Sequence, residues 1–307
     1  MDELHQRTLK AAVSCDGIGL HCGERVRLTL RPAAPGSGIV FARTDLAGAV
    51  ELPATIGHVV GATLATTLGA GDVRVGTVEH LLAALSGLGI DNVRAELTGP
   101  EVPILDGSAG PFVALVRAAG VERQRRARRV LVVKKPLEVS DGDKRARIVP
   151  APRFSVACAI DFAHPLIGRQ SLEVEVRDET FCRELAPART FGFLRDVEAQ
   201  RRRGLVRGGS LENALVLDDV ALLNPEGLRF PDEFVRHKLL DAIGDLALCG
   251  MPIVGRFSSV KSGHAQNQRL VRRLVEEPGA AEIVELRAPH RPSHAPPLLE
   301  TFEPQPA

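Results

Sequence analysis

The stretch FVRHKLLD, Phe234 to Asp241, sets a histidine and an aspartate four positions apart inside an apolar-periodic run. On a helix, such positions differ by only about 40° in azimuth and about 6 Å in rise, so His237 and Asp241 project from one face. Two such side chains can share one cation, and imidazole with carboxylate is a donor set that suits zinc in a catalytic site. They can equally form a solvated pair on an exposed helix, and on spacing alone that alternative stays open. Asp245, a further four residues along, extends the stripe with a second carboxylate just beyond the ion. A catalytic zinc takes three protein ligands and keeps one position for water, so a third donor is required.

The first half of the chain offers a candidate. TVEHLLAALSGLGIDNVRAEL (Thr77 to Leu97) and EFVRHKLLDAIGDLALCGMPIVGRF (Glu233 to Phe257) share the order histidine, double leucine, helix, glycine break, strand. Two such helices packed face to face set His80 opposite His237 and Asp241. Near a helix N-terminus the dipole disfavours the imidazolium, keeping the ring neutral as a ligand must be. Glu79 lies about 100° round the helix from His80, beside the ion rather than on it. There it can take a proton from a water, the part played by the glutamate of HExxH at a different spacing. The plainer alternative is an acidic residue favoured by the helix dipole. His264, in KSGHAQNQRL, reads as a loop residue after a strand end, where functional side chains are often displayed. With Asp245 as its partner it could be held protonated and serve as a general acid, whereas a lone loop histidine need do nothing.

These side chains need a scaffold from both halves. VRLTL (Val26 to Leu30) alternates as a strand, PGSG supplies a turn and GIVFARTDL resumes extended structure. Leu81, Leu82, Leu85 and Leu88 then follow a helical stripe before NVRAEL returns to a strand. RRVLVVKKPLEV, FSVACAIDF and SLEVEVRDE make the second half β-rich as well. The fold class is α+β, with two similar domains, each a sheet carrying helices on one face. The basic run ERQRRARR (Glu122 to Arg129) reads as solvated surface or linker and marks the boundary. Domains therefore fall at residues 1–129 and 130–287, followed by a proline-rich mobile tail over 288–307.

Bulk properties narrow the function classes. The 307 residues suffice for two cores, and 44% apolar with 25% charged residues is ordinary for a soluble protein. No run approaches the roughly 18 to 20 apolar residues of a membrane span, and MDELHQRTLK lacks the apolar region of a secretory signal, so a cytoplasmic address is expected. Cys15, Cys22, Cys158, Cys182 and Cys249 are odd in number and scattered, which suggests neither a disulfide framework nor a cysteine zinc site. A net charge of +1 and the absence of Trp and Tyr argue against nucleic-acid binding, despite a second basic run at EAQRRRGLVR.

With those residues in view, the chain resembles the UDP-3-O-acyl-N-acetylglucosamine deacetylases, zinc amidohydrolases that commit the pathway to lipid A in Gram-negative bacteria. The resemblance runs from Thr8 to about Arg287 and rests on GIGLHCGE, TVEHLLAAL, GPEVPILDGSA, IDFAHP, ARTFGF, ENALVLDD, RHKLLDAIGDLAL and the Gly263-His264 pair, in that order. It implies two domains whose helices pack together between two sheets, with zinc held by His80, His237 and Asp241. It further implies that Glu79 acts as the base, that the Thr190 hydroxyl and the metal stabilise the oxyanion, and that His264, oriented by Asp245, protonates the departing amine. Lys238, beside His237 but on another face, would approach the sugar or diphosphate and Lys144 the diphosphate, with Asp161 and Phe162 beside the uracil; ordinary core is the alternative for Phe162. The acyl chain would enter an apolar element following ARTFGF, lined by Phe191, Phe193, Leu194, Leu205 and Val206, with Arg201 to Arg203 on its outer side or near the diphosphate. The partner implied is an acylated UDP-amino-sugar, acted on by a monomer. His21 matches a family position near the site without a role. The alternative from another class is a nucleotide-sugar or RNA binding module on the same scaffold without catalysis.

Overall fold

In the computed structural model, which describes residues 4–48 and 50–287, two five-stranded sheets repeat one topology. The first contains β1 (Val13–Ile18), β2 (Arg25–Pro32), β3 (Ile39–Arg43), β4 (Val50–Pro53) and β5 (Val93–Leu97), in the order β1-β2-β5-β3-β4. The second contains β6 (Leu137–Asp141), β7 (Lys144–Val149), β8 (Ser155–Phe162), β9 (Gly168–Glu175) and β10 (Arg256–Val260), in the order β6-β7-β10-β8-β9. In both, the last strand enters the middle, antiparallel to the second and parallel to the third. A helix precedes that strand and another follows it. These are α1 (Glu79–Gly87) and α2 (Gly110–Ala119) around β5, and α4 (Glu233–Leu246) and α5 (His264–Glu276) around β10, while α3 (Leu194–Arg202) lies in an insertion of the second half. The faint echo in the sequence is thus a repeat of mixed α+β structure. The proline-rich tail from residue 288 lies outside the described residues.

The sheets form because apolar residues alternate. Val26, Leu28 and Leu30 in β2 are buried while Arg25, Arg27 and Arg31 are exposed, and Val156, Cys158 and Ile160 play the same part in β8. One wet and one dry face leaves each sheet a single side on which to stack helices. The leucines of α1 pattern as one stripe in the sequence, but Glu79 through Leu85 are all buried. The reason is tertiary: α4 covers what the first sheet leaves open, and a helix apolar all round belongs in an interior. In α4, every residue from Leu239 to Leu246 is buried as well.

The two helices meet with almost no room between them. A Cβ on Gly244 would stand 2.1 Å from the carbonyl oxygen of Glu79, so α4 approaches the first turn of α1 as closely as backbone allows. Just before that turn, Thr77 has φ 54°, a left-handed conformation rare for a β-branched residue, and its hydroxyl donates to Glu101 at 2.6 Å. Of the two readings of the basic run at Glu122–Arg129, solvated surface holds and linker does not, because Val121–Ala127 forms a strand antiparallel to His5–Leu9 in which only Gln124 is buried. Its alternation is polar on both faces, which hides a strand from periodicity and suits an exposed edge. No helix among the described residues is long and apolar enough to cross a membrane.

Because the Gly244 contact is backbone against backbone, Gly244→Ala should cost about 1–3 kcal/mol of unfolding free energy. It should also shift the start of α1. Urea denaturation together with metal titration of the folded fraction reads both effects, and wild-type values in both would show that the interface yields freely.

Candidate metal centre and proton-transfer site

The helix contact brings together donors from both halves. His80, in the first turn of α1, and His237 and Asp241, on one face of α4, each offer a ligand atom, and these atoms lie within 4.8 Å of one another. Nε2 of His80 and Nε2 of His237 stand 3.4 and 3.3 Å from the same oxygen, Oδ1 of Asp241. The rings are edge-on, with centroids 5.0 Å apart. Nδ1 of His237 is 3.1 Å from the Ala188 carbonyl, to which it donates, so in the neutral ring Nε2 carries a lone pair. Burial pushes the His237 imidazolium down to about 4, with the Asp241 charge opposing, and the ring is neutral at pH 7. A bare nitrogen lone pair then faces a carboxylate oxygen with no proton between them. A cation resolves that repulsion, and two imidazoles with one carboxylate are a fitting donor set for a divalent metal. The other oxygen, Oδ2, accepts from Lys238 Nζ at 2.8 Å. Burial would raise Asp241, but the neighbouring imidazoles and the Lys238 ammonium outweigh it and hold the carboxyl well below its ordinary value.

Beside the cluster stand two titratable groups whose proton affinities are both raised, one a carboxyl and one an imidazole. Glu79 is buried, and one of its oxygens accepts from the Thr66 backbone N–H at 3.0 Å while the other lies 3.9 Å from Nε2 of His264. Burial raises its carboxyl above the ordinary value, with His264 and His80 opposing. His264 opens α5 instead of sitting in a loop, a correction with a simple cause. The glycine at N-cap hides the start of the helix, while the polar Gln266, Asn267 and Gln268 are buried on its inner side. Nδ1 of His264 donates to Oδ2 of Asp245 at 2.9 Å. Burial acts against the imidazolium, but Asp245, Glu79 and Asp241 prevail and lift His264 to about 9. Asp245 is wholly buried and fully engaged, since Asn267 also donates to Oδ2 at 2.9 Å and the Thr66 hydroxyl to Oδ1 at 2.6 Å. Gln268 in turn donates to the Thr66 hydroxyl at 2.9 Å.

The remaining sequence candidates are placed unevenly. Thr190 lies two residues beyond Ala188, its backbone held between the Gly107 carbonyl and the Leu215 N–H at 2.8 Å each. Lys238 does not point away from the metal donors as its position beside His237 suggested; it reaches one turn along to Asp241. Asp161 is paired with Lys261 at 3.0 Å, and Lys261 also binds Asp143 at 3.1 Å, which draws the hairpin bearing the exposed Lys144 toward the end of β8. Phe162 and Phe191 are half-buried and meet edge to face at 5.5 Å, and Phe191 reaches within 6.4 Å of the His237 ring. An apolar run therefore starts at the His237 ring. It continues into the inserted unit, where Phe191–Phe193 pairs in parallel with Leu215–Leu217 across α3. Leu194 is exposed, as are Arg201, Arg202 and Arg203, while Phe193, Leu205 and Val206 are half-buried. His21 is held by its backbone N–H on Glu101, and its Nε2 is buried without a hydrogen-bond partner among the described residues.

The sequence reading missed Thr66, Asn267, Gln268, Glu101 and the Ala188 carbonyl. Asn267 and Gln268 carried a usable signal, because they share a helix face with His264 and the buried Val271. Thr66 carried none, since its partners lie 179 and 202 residues away.

A duplicated α+β scaffold closing on a metal-competent cluster, with a buried carboxyl and a buried imidazole at its rim, is a framework suited to a hydrolytic enzyme. The chain belongs to the UDP-3-O-acyl N-acetylglycosamine deacetylase family, whose model matches residues 6–276. It is 58% identical over 283 residues to the UDP-3-O-acyl-N-acetylglucosamine deacetylase of Myxococcus xanthus (strain DK1622), covering 92% of this chain and 90% of that one. It is 56% identical over 282 residues to the enzyme of that name from Anaeromyxobacter sp. (strain Fw109-5), covering 92% of each. To that of Acidithiobacillus ferrooxidans (strain ATCC 53993 / BNL-5-31) it is 51% identical over 291 residues, covering 93% of this chain and 96% of the other.

The geometry sets an order of metal affinities. His237→Ala and Asp241→Ala should abolish stoichiometric binding, whereas Lys238→Ala, which frees only the outer oxygen of Asp241, should weaken it about tenfold. Equilibrium dialysis with elemental analysis measures this, and full occupancy in Asp241→Ala would remove that residue from the donor set.

Proposed function

We propose that this chain hydrolyses the N-acetyl group of UDP-3-O-(3-hydroxyacyl)-N-acetylglucosamine, releasing acetate and the free amine in the committed step of lipid A biosynthesis. The observation that carries the reading is the meeting of Glu79 and His264, 3.9 Å apart, against the cluster of His80, His237 and Asp241. Those three residues would hold zinc, which when bound supplies Lewis acidity to a water and to the amide carbonyl. Glu79 accepts a proton from the attacking water as the new C–O bond forms, a task suited to a carboxylate whose affinity for protons is raised by burial. The Thr190 hydroxyl donates to the oxygen that gains charge. His264 gives its Nε2 proton to the nitrogen as the C–N bond breaks, and Asp245 keeps the ring oriented through Nδ1.

The substrate would be held on two sides. Lys238 and Lys144 offer positive charge for a diphosphate, and Asp161 with Phe162 offers a carboxylate and a ring face for the base. Phe191 begins an apolar path for the acyl chain that continues over the inserted unit. The proposal places the reaction in the cytoplasm. A module that only bound nucleotide-sugar or RNA would have no use for a base and an acid of opposite tendency set side by side.

Two measurements test this. Acetate release from the acylated UDP-sugar should fall about 10²–10⁴-fold in Glu79→Ala; unchanged turnover would remove Glu79 from the chemistry. The acid must be protonated to act, so kcat/KM should fall as pH rises through about 9, the value to which His264 is lifted. Asp245→Asn withdraws the charge that favours the imidazolium, so that limb should move to lower pH, and His264→Ala should erase it. A limb that stayed near pH 9 in His264→Ala would assign the acid elsewhere.

A further inference from the structure

The segment behind the metal donors carries two groups with separate tasks and, between them, a side chain the mechanism does not use. Ala188 gives its carbonyl to His237 Nδ1, and Thr190 bears the hydroxyl assigned to the oxyanion. Arg189 points the other way and is buried, its side chain 4% exposed. Its backbone N–H and its Nε both donate to Oε1 of Glu233, at 3.0 and 2.9 Å. Nη2 donates to Oε2 of Glu233 at 3.3 Å and to the Gly227 carbonyl at 2.6 Å, and Nη1 pairs with Glu226. Glu233 has no exposed surface and also accepts the Arg229 backbone N–H on Oε2 at 2.6 Å. It is the first residue of α4, one turn before His237.

We propose that Arg189 and Glu233 are positioning residues, a buried lock that fixes the Ala188 carbonyl and the Thr190 hydroxyl relative to the helix carrying His237 and Asp241. The geometry favours this over simple packing. Burying two charges is expensive, and an apolar pair of similar volume often serves stability as well or better. What an apolar pair cannot do is bind one chain's N–H and guanidinium to a single carboxylate on the next element. The planar fork matters because it engages both oxygens at once, which a lysine ammonium cannot reproduce. A carbonyl that sets a ligand histidine's tautomer and tilt acts on the metal through that histidine, and loss of such a partner typically weakens metal binding 10- to 100-fold.

The Thr190 half of the inference rests on the deacetylase reading; the metal half does not. The test uses the full chain with Arg189→Lys, Glu233→Gln and the apolar pair Arg189→Met with Glu233→Leu. Three quantities are read: the thermal midpoint of the metal-free protein, zinc affinity by competition with a chromogenic chelator, and kcat and KM for the acylated UDP-sugar. Arg189→Lys should remain folded yet bind zinc about 10- to 100-fold more weakly, with kcat reduced and KM unchanged. The apolar pair should keep the wild-type midpoint while showing the same two losses. Restoration of both zinc affinity and kcat by the apolar pair would reduce the lock to packing and overturn the proposal. So would zinc affinity that stays at the wild-type level in every variant. Weakened zinc binding in the variants, beside a wild type that releases no acetate, would instead leave the lock standing and remove the deacetylase reading.

Discussion

The contact between the start of α1 and the middle of α4 is the constraint on which the other parts depend. At Gly244 the two backbones touch, and within about two turns of that point on α4, and one residue on α1, lie the three side chains of the His80, His237 and Asp241 cluster. His80 and Glu79 come from one half of the molecule and His237, Asp241, Asp245 and His264 from the other. Neither half owns a site. The topology explains why the junction is possible: each sheet is wet on one face, so each must present its helices on the other, and stacking the two helix layers satisfies both at once. The all-round burial of α1 follows from that stacking rather than from its own sequence.

Electrostatics at the junction would be untenable without compensation. Glu79, Asp241 and Asp245 lie together in the interior, faced by Lys238 and by His264 in its protonated form. With Glu79 ionised, three negative charges meet two positive ones, and a divalent cation reverses the sign of the remainder. The hydrogen bonds divide these charges by task. Asp241 turns one oxygen to the imidazoles and one to Lys238, while Asp245 spends both oxygens on His264, Asn267 and Thr66. The first carboxylate thereby keeps an oxygen free of proton donors beside the imidazoles, while the second is fully hydrogen-bonded, although both sit on the same stripe of α4.

Much of this was legible in the sequence because it is periodic. The i, i+4 spacing of His237, Asp241 and Asp245 survives folding unchanged, since helix geometry converts it directly into a shared face. The repeat of histidine, double leucine and glycine break signalled two related halves, and the sheets bear this out strand for strand. Illegible were the partners supplied by backbone or by distant polar residues. No pattern marks the Ala188 carbonyl, and Thr66 sits in a run, LATTLGA, whose burial is decided by elements far away in the chain. The polar strand at Val121–Ala127 failed for a related reason, because alternation is visible only when one face is apolar.

Thr66 also has a property that reaches beyond its size. Its amide N–H steadies Glu79 while its hydroxyl bridges Asp245 and Gln268, so one small neutral residue is yoked to the neighbourhoods of both Glu79 and His264. The two side chains therefore share a fulcrum. Any movement of the bend at residues 62–66, between the strands Val59–Gly61 and Thr67–Ala70, would retune the two together, and selection acting on one partner of the pair inherits the response of the other.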